Sequence, residues 1–401
     1  MRVASHEMFP EEFNLQKSTI SATLFCYCPL AIILLYFQER LVDERSLAMD
    51  YADRFNKVLL SNNELSLATN NNIIITVDND FLDAWNWHPK TSTASLDISA
   101  IRDKLEILGR NFNQFVFRYA DPKYGSSLGI TDKKDHDPVT DIDKGLEDLI
   151  SCWIKTRFPS HKIIGEEQPE LYGERDSING DDYVWYIDPV DGTENFINAV
   201  NQGINSNTYV GINISLYHGG IPLVAYLGIP LLEYYYIGSA GTKNVLSVSQ
   251  GEVTAIPSIA TVKEVSVGTE DSLYVPGGDY SFFREELCVK DAYILKCSSI
   301  NLAGIIENKI NLFYKKRVKL WDIMTALALI RFVDPDRRFR AKIAIDHNEI
   351  YDFPEKFFSS KKCVALVNQG NRQSGETGFF IIYDKYNYDD KQIRKIIELY
   401  R

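Results

Sequence analysis

A chain of 401 residues with 45% hydrophobic side chains has enough apolar material to bury one large core or two smaller ones, which argues against a disordered chain. Its 55 acidic and 43 basic residues give a formal net charge of −12, and so acidic a surface repels phosphate backbones, which argues against a binder of nucleic acid polymers. Any phosphate chemistry must then rest on a local group of cations.

In chain order, Ser18 to Gln38 (STISATLFCYCPLAIILLYFQ) carries no charge and is just long enough to cross a bilayer, but it contains Pro29 and several hydroxyl residues. Its flank, with Glu7, Glu11 and Glu12 against Arg2 and Lys17, is wrong for a secretory signal. Two readings stay open: a membrane anchor or membrane contact through residues 18–38, or a buried helix or plain extension. Residues 1–95 read as an appendage, with loops at the Asn-rich stretches 61–63 and 70–72 and at Trp85-Asn86-Trp87-His88-Pro89.

A folded unit covering residues 96–401 begins with Ile98, Ile101, Leu105, Leu108, Phe112 and Phe115, whose spacing of three and four predicts a helix. Ile142, Leu146, Leu149, Ile150, Trp153 and Ile154 predict a second, capped by Thr140 or Asp141 and stopping near Pro159. Short apolar runs at Lys162-Ile163-Ile164 and Tyr183 to Ile187 read as strands. Residues 208–238, broken at His218-Gly219-Gly220 and Gly228-Ile229-Pro230, read as an antiparallel meander. A strand over 310–314, a helix from about Asp322 to Arg331 and a terminal helix around Ile393, Ile396 and Ile397 follow. Blocks of strands and helices in this order predict stacked α and β layers. Six cysteines (Cys26, Cys28, Cys152, Cys288, Cys297 and Cys363) show neither disulfide density nor metal-ligand spacing, which points to a reducing compartment and a cytoplasmic protein, with membrane anchoring as the alternative.

The stretch IDPVDGT, residues 187–193, follows the apolar run 183–186. Asp-Pro and Asp-Gly are ordinary turn dipeptides, so the bland reading is a surface turn. The alternative is a rigid corner. Pro189 has a fixed φ and no N–H and pushes Asp188 to extended geometry, so the corner would aim Asp188, the Val190 carbonyl and Asp191 at one point. Oxygen-only ligands suit a hard cation such as Mg²⁺. Further acids follow another strand-like run (Glu166, Glu167) and open a helix (Asp322). If the task is phosphate-ester hydrolysis, acceleration of up to about 10²¹ is needed, and a positioned acid or base supplies only about 10² to 10⁴. Metals about 4 Å apart would close that gap.

The ordered set DPVTDID (137–143), FPSHKIIGEE (158–167), WYIDPVDGTENF (185–196) and LWDIMTA (320–326) resembles the inositol monophosphatase family. Its superfamily of Mg²⁺-dependent, lithium-sensitive phosphatases also holds bisphosphate nucleotidases and fructose-1,6-bisphosphatases. The resemblance implies an α+β fold, a layered αβαβα sandwich, usually a homodimer, that hydrolyses a small phosphate monoester with two or three Mg²⁺ ions. Carried over by position, Glu166, Asp188 and the Val190 carbonyl would hold one metal and Asp188, Asp191 and Asp322 the second, with Glu167 behind them. Thr193 and Glu166 would orient the attacking water, and Asp143 would bond Thr193. Asp191, Gly192 and Thr193 would meet the substrate, with Gly192 and Thr193 presenting N–H groups to phosphate.

Lys315 departs from the family, whose inositol phosphatases carry a glutamate seven residues before the WD aspartate. Reversing that charge alters the interaction with a second phosphate about 5 Å away by repulsion lost and attraction gained, each on the order of 3 kcal/mol at a dielectric of about 20. With the similarity of CSSINLAGIIENKINLFYK to a segment of bisphosphate nucleotidases, this puts Ser298, Ser299 and Lys315 at the substrate. The bland alternative is that the basic run Lys315-Lys316-Arg317-Val318-Lys319 is a solvated loop. Set against the active phosphatase is a regulatory or partner-binding relative that acts through its N-terminal extension.

Overall fold

The computed structural model describes residues 57–61, 64–68, 74–89, 96–125, 128–132, 138–167, 178, 181–205, 208–242, 244–259, 266–269, 287–346, 349–354 and 378–399. Two compact units divide the chain, Met1–Trp87 and His88–Arg401. In the first, β1 (Lys57–Ser61), β2 (Glu64–Ala68) and β3 (Ile74–Val77) form an antiparallel sheet. Helix α1 (Asn79–Trp85) follows, and its cap Asp78 accepts from Phe81 N at 2.7 Å. Trp85 thus ends a helix rather than starting a loop. The candidate membrane segment 18–38 lies outside the described residues. Among the described residues no helix is long and apolar enough to cross a membrane.

The second unit is an αβαβα sandwich. Its outer helices are α2 (Ile98–Ala120) and α3 (Asp141–Arg157), each formed for the reason its sequence gives. Ile101, Leu105, Leu108, Phe112 and Phe115 line the buried stripe of α2. In α3, Thr140 and Asp143 close a capping box in which each side-chain oxygen accepts from the other's backbone N–H. The antiparallel pair β4 (Ile130–Asp132) and β5 (Pro138–Thr140) precedes α3, and α2 and α3 together cover a seven-stranded sheet of order β12-β11-β10-β9-β8-β7-β6. Its strands are β6 (Lys162–Gly165), β7 (Tyr183–Asp191), β8 (Gly211–His218), β9 (Ile221–Ile229), β10 (Tyr234–Ser239), β11 (Val245–Ser249) and β12 (Glu252–Ile256). Helix α4 (Thr193–Gln202) joins β7 to β8.

The predicted meander is β8–β9–β10. It turns at Gly219 and Gly220, both at positive φ, but β9 runs through Gly228 to Ile229. Asn113 of α2 packs so tightly there that a Cβ on Gly228 would meet its Oδ1 at 2.0 Å, so this glycine serves close packing rather than a break.

Helices α5 (Ser298–Ile306) and α6 (Leu320–Val333) form the middle layer, buried on all sides. The second sheet, of order β14-β13-β15-β18-β16-β17, consists of β13 (Ser266–Thr269), β14 (Asp291–Ile294), β15 (Leu312–Lys315), β16 (Phe339–Asp346), β17 (Glu349–Phe353) and β18 (Phe379–Asp384). Helix α7 (Asp390–Leu399) closes the far side, with Ile393, Ile396 and Ile397 packed on Tyr314, Ile381 and Tyr383.

Two features of the first sheet set up the site. Strand β6 pairs parallel with β7, so both deliver their C-terminal ends to one edge of the layer. Strand β7 pairs antiparallel with β8, but between Asp188↔Asn213 and Asp191↔Gly211 it spends one more residue than its partner. IDPVDGT is therefore a β-bulge inside a buried strand, and the surface-turn reading falls. The N–H missing from Pro189 belongs where the ladder is already broken.

At the opposite end of these two strands, where β6 and β7 begin, His161 is clamped in an aromatic stack. It lies between Phe158 and Tyr183, with both ring separations 4.7 Å, and its Nδ1 accepts from Trp185 Nε1 at 3.0 Å. Burial, aided by the Lys155 and His218 charges, pushes its pKa down from 6.5 to about 3. The fold therefore holds His161 neutral, and the unfolded chain takes up the proton first. The resulting stability is fully present above pH 6.5 and is lost as pH falls from there towards 3. At about pH 4 the loss is on the order of 3 kcal/mol. Urea unfolding between about pH 7 and pH 4 should show the wild type losing that much more stability than His161→Gln, which keeps an acceptor for the indole. Equal losses would count against the clamp.

Candidate active site

Four chain segments meet at the end of β6 and β7. Glu166 follows β6, Asp188 and Asp191 flank the bulge of β7, Asp322 lies in the first turn of α6, and Asp143 lies in the first turn of α3. Glu166, Asp188 and Asp322 each place a carboxylate oxygen within 4.8 Å of the others. Asp188 is at the centre and is 1% exposed. Its Oδ1 accepts from Val190 N at 3.1 Å, while Oδ2 is buried with no hydrogen-bond partner. Burial first, then the charges of Glu166, Asp191, Asp322 and Glu167, hold the Asp188 carboxyl far above the usual carboxylate range.

An orphaned buried carboxylate oxygen costs stability unless something of opposite charge meets it. All the donors here are oxygens, Asp188 and Asp322 are buried, and Asp322 lies at a helix start. That donor set fits a hard divalent cation of the Mg²⁺ class.

Thr193 is the first residue of α4, and its hydroxyl lies 2.9 Å from Asp143 Oδ1 and 3.0 Å from the Val190 carbonyl. The other Asp143 oxygen accepts from Thr140 N at 2.9 Å and from the Thr140 hydroxyl. The Asp143 pKa is raised to about 6, chiefly by burial, with the Thr140 and Thr193 hydrogen bonds opposing the shift and Glu166 adding to it. The single Thr193 proton thus has two acceptors, Asp143 Oδ1 and the Val190 carbonyl.

Asp191 lies apart from the three-acid group. Its carboxylate accepts from Ser299 N at 2.7 Å, Ser299 Oγ at 2.5 Å and Ser298 N at 3.3 Å, capping α5 from across the chain because Cys297 at the cap position offers no side-chain bond. Gly211 makes room for this pair, since a Cβ there would meet Ser299 Oγ at 2.1 Å. Lys315, at the end of β15, reaches Ser298 Oγ at 2.9 Å and Asp322 Oδ2 at 2.5 Å. It is no solvated loop residue, and its ammonium faces a carboxylate of the cluster. Lys319 reaches Glu166 Oε1 at 3.4 Å.

Three contributors went unread in the sequence. Glu147, fully buried on α3, accepts from Glu167 N at 2.8 Å and fixes the loop after β6. An acid four residues beyond Asp143, in the middle of an apolar stripe, is the signal that marks it. Asn195 donates to the Tyr209 and Leu295 carbonyls, tying α4 to the segment before α5. Beside it Glu194, exposed, pairs with Lys296 at 3.0 Å. Lys319, read only as part of a basic run, is the third.

The sequence model of the inositol monophosphatase family matches residues 93–332, more than half of the chain. The chain belongs to the inositol monophosphatase family. Inositol monophosphatase 1 of Solanum lycopersicum is 36% identical over 190 residues, 46% of this chain and 65% of that protein, so the matched region spans less than two thirds of that relative. The fructose-1,6-bisphosphatase/inositol-1-monophosphatase of Aquifex aeolicus is 25% identical over 217 residues, 50% of this chain and 72% of its own length. The histidinol-phosphatase of Chlorobaculum parvum is 33% identical over 130 residues, 32% of this chain and 45% of its own length. Among solved structures, an IMPase/NADP phosphatase complexed with NADP and Ca²⁺ superposes with a TM-score of 0.52 at 15% identity, covering 76% of this chain and 97% of that one. Staphylococcal IMPase-I complexed with products gives 0.51 at 16%, covering 75% and 96%. At these identities the likeness is one of fold.

Gly192 carries a direct test of the corner. Its φ is +89°, and a Cβ would meet the Tyr209 carbonyl oxygen at 2.8 Å. Gly192→Ala should cost about 1–2 kcal/mol in urea unfolding from the left-handed backbone alone, more with the clash. An unchanged midpoint would mean that the corner is not held as described.

Proposed function

We propose that this chain is a Mg²⁺-dependent phosphoric monoester hydrolase that cleaves a small phosphate ester by attack of water. The single observation that carries the reading is the orphaned Oδ2 of Asp188 between Glu166 and Asp322. Glu166, Asp188 and Asp322 would hold the cations, two or three in number, joined by Asp191 and the Val190 carbonyl. Bound there, such ions make hydroxide available near neutral pH and offset charge on the phosphate and the leaving oxygen.

The chain's own residues do the rest. Thr193 directs its proton to Asp143 or the Val190 carbonyl, which leaves an Oγ1 lone pair to accept from the attacking water. Glu166 accepts from the same water. The N–H groups of Gly192 and Thr193, at the positive end of α4, donate to phosphate oxygens. Asp143 is one of the two acceptors that orient the Thr193 hydroxyl, and Glu147 steadies the loop that carries Glu166 and Glu167.

The substrate class is an inositol monophosphate-like ester or a 3′(2′),5′-bisphosphate nucleotide. Of the three residues expected at the substrate where the two classes differ, Ser298 and Ser299 are fully buried and Lys315 is partly exposed. The pairing of Lys315 with Asp322 favours the single phosphate, because a cation already offset by a carboxylate attracts a second phosphate far less than a bare one. A second reading, a regulatory relative that binds a partner through residues 1–95, draws on the separate compact unit Met1–Trp87.

The test is phosphate release with Mg²⁺ from inositol 1-phosphate, fructose 1,6-bisphosphate and 3′-phosphoadenosine 5′-phosphate. Turnover should be highest on inositol 1-phosphate, absent with Asp188→Asn, and reduced about 10²- to 10⁴-fold in kcat by Thr193→Ala. Absence of turnover on the whole panel would sink the enzyme and leave the regulatory reading.

A further inference from the structure

The carboxylates of the cluster are unequally neutralised. Asp188 Oδ2 has no partner. On the far side Asp191 is engaged by the start of α5, and Asp322 Oδ2 by the Lys315 ammonium at 2.5 Å. Lys315 is the last residue of β15, where it pairs with Phe380 of β18, so its backbone is fixed by the sheet. Its Nζ is held a second time by Ser298 Oγ at 2.9 Å, and the side chain is 16% exposed. Lys319 sits differently on Glu166, at 3.4 Å and with its ammonium 5.8 Å from the Trp321 ring.

We propose that the Lys315 ammonium takes up a cation position on Asp322, so that a first divalent ion loads at Glu166 and Asp188 and a second at Asp322 binds only in competition with the lysine. The proposal rests on the reading of this cluster as a cation site. A divalent ion on Asp322 would stand within a few ångströms of a partly buried ammonium, where like charges repel strongly because little solvent screens them. The lysine is tied to Ser298 and to a sheet strand, so swinging aside breaks a hydrogen bond as well as an ion pair. The consequence is a second ion that enters at higher concentration than it would without the lysine.

Binding of Mn²⁺ alone to the full chain, counted by the loss of free Mn²⁺ signal in electron paramagnetic resonance, tests this without substrate. The wild type should show one tight ion and a second weaker by about 10- to 100-fold. Lys315→Met and Lys315→Gln should tighten the second ion by a similar factor, and Lys315→Arg should restore the wild-type gap. Lys296→Gln, which removes an exposed lysine paired with Glu194, should change neither ion. Thermal unfolding of each variant checks that it is folded, and two neutral replacements guard against one that is not. Superimposable isotherms for wild type, Met and Gln variants would overturn the proposal and leave Lys315 a structural ion pair. An equal shift in the Lys296 variant would overturn it too, by assigning the effect to net charge. Absence of Mn²⁺ binding in the wild type, unchanged by Asp188→Asn, would overturn the cation reading itself.

Discussion

Mutual repulsion among buried carboxylates governs this site. Glu166, Asp188 and Asp322 crowd within 4.8 Å, and Asp188 at their centre is held far from its ordinary pKa by burial and by those neighbours. Such an arrangement survives only where protons, ammonium groups or metal ions take up the charge. The chain answers locally with Lys315 on Asp322, Lys319 on Glu166 and a helix start on Asp191, and leaves Asp188 Oδ2 unmet. The net charge of −12 adds to that repulsion at longer range.

The fold exists around the site to hold those groups in place. Parallel pairing of β6 and β7 brings Glu166 beside Asp188, the bulge at Pro189 turns Asp188 and Asp191 in different directions, and α6 brings Asp322 from the middle layer. Glu166, Asp188 and Asp322 come from three different elements, and one hydrophobic core shared by β6, β7 and α6 anchors all three. The aromatic clamp at His161 holds the opposite end of β6 and β7, and Glu147 ties the loop after β6 to α3. Small residues mark the close approaches: Gly192 because of its backbone, Gly211 because Ser299 fills the space above it.

Much of this was legible in the sequence. The stripes of α2 and α3, the meander and the layered class follow from periodicity, because spacing reports which face is buried. The acids followed from the motifs, because the chemistry of a hard cation demands oxygen donors at strand ends and helix starts. What spacing cannot report is the partner across the gap. Pro189 looked like the corner of a turn because a bulge and a turn share residue types, and only the β8 register separates them. Lys315 looked like a cation for a second phosphate because nothing in Lys315-Lys316-Arg317 tells that its ammonium ends on Asp322. Glu147 hid in an apolar stripe, where a single acid is easily taken for an exposed interruption.

Anomalous scattering from a crystal of the full chain grown with Mn²⁺ tests the central claim most directly. The account predicts a peak about 2.1–2.2 Å from Asp188 Oδ2, with Glu166 among its ligands. A map at full Mn²⁺ occupancy with peaks elsewhere on the protein and none at Asp188 would contradict it.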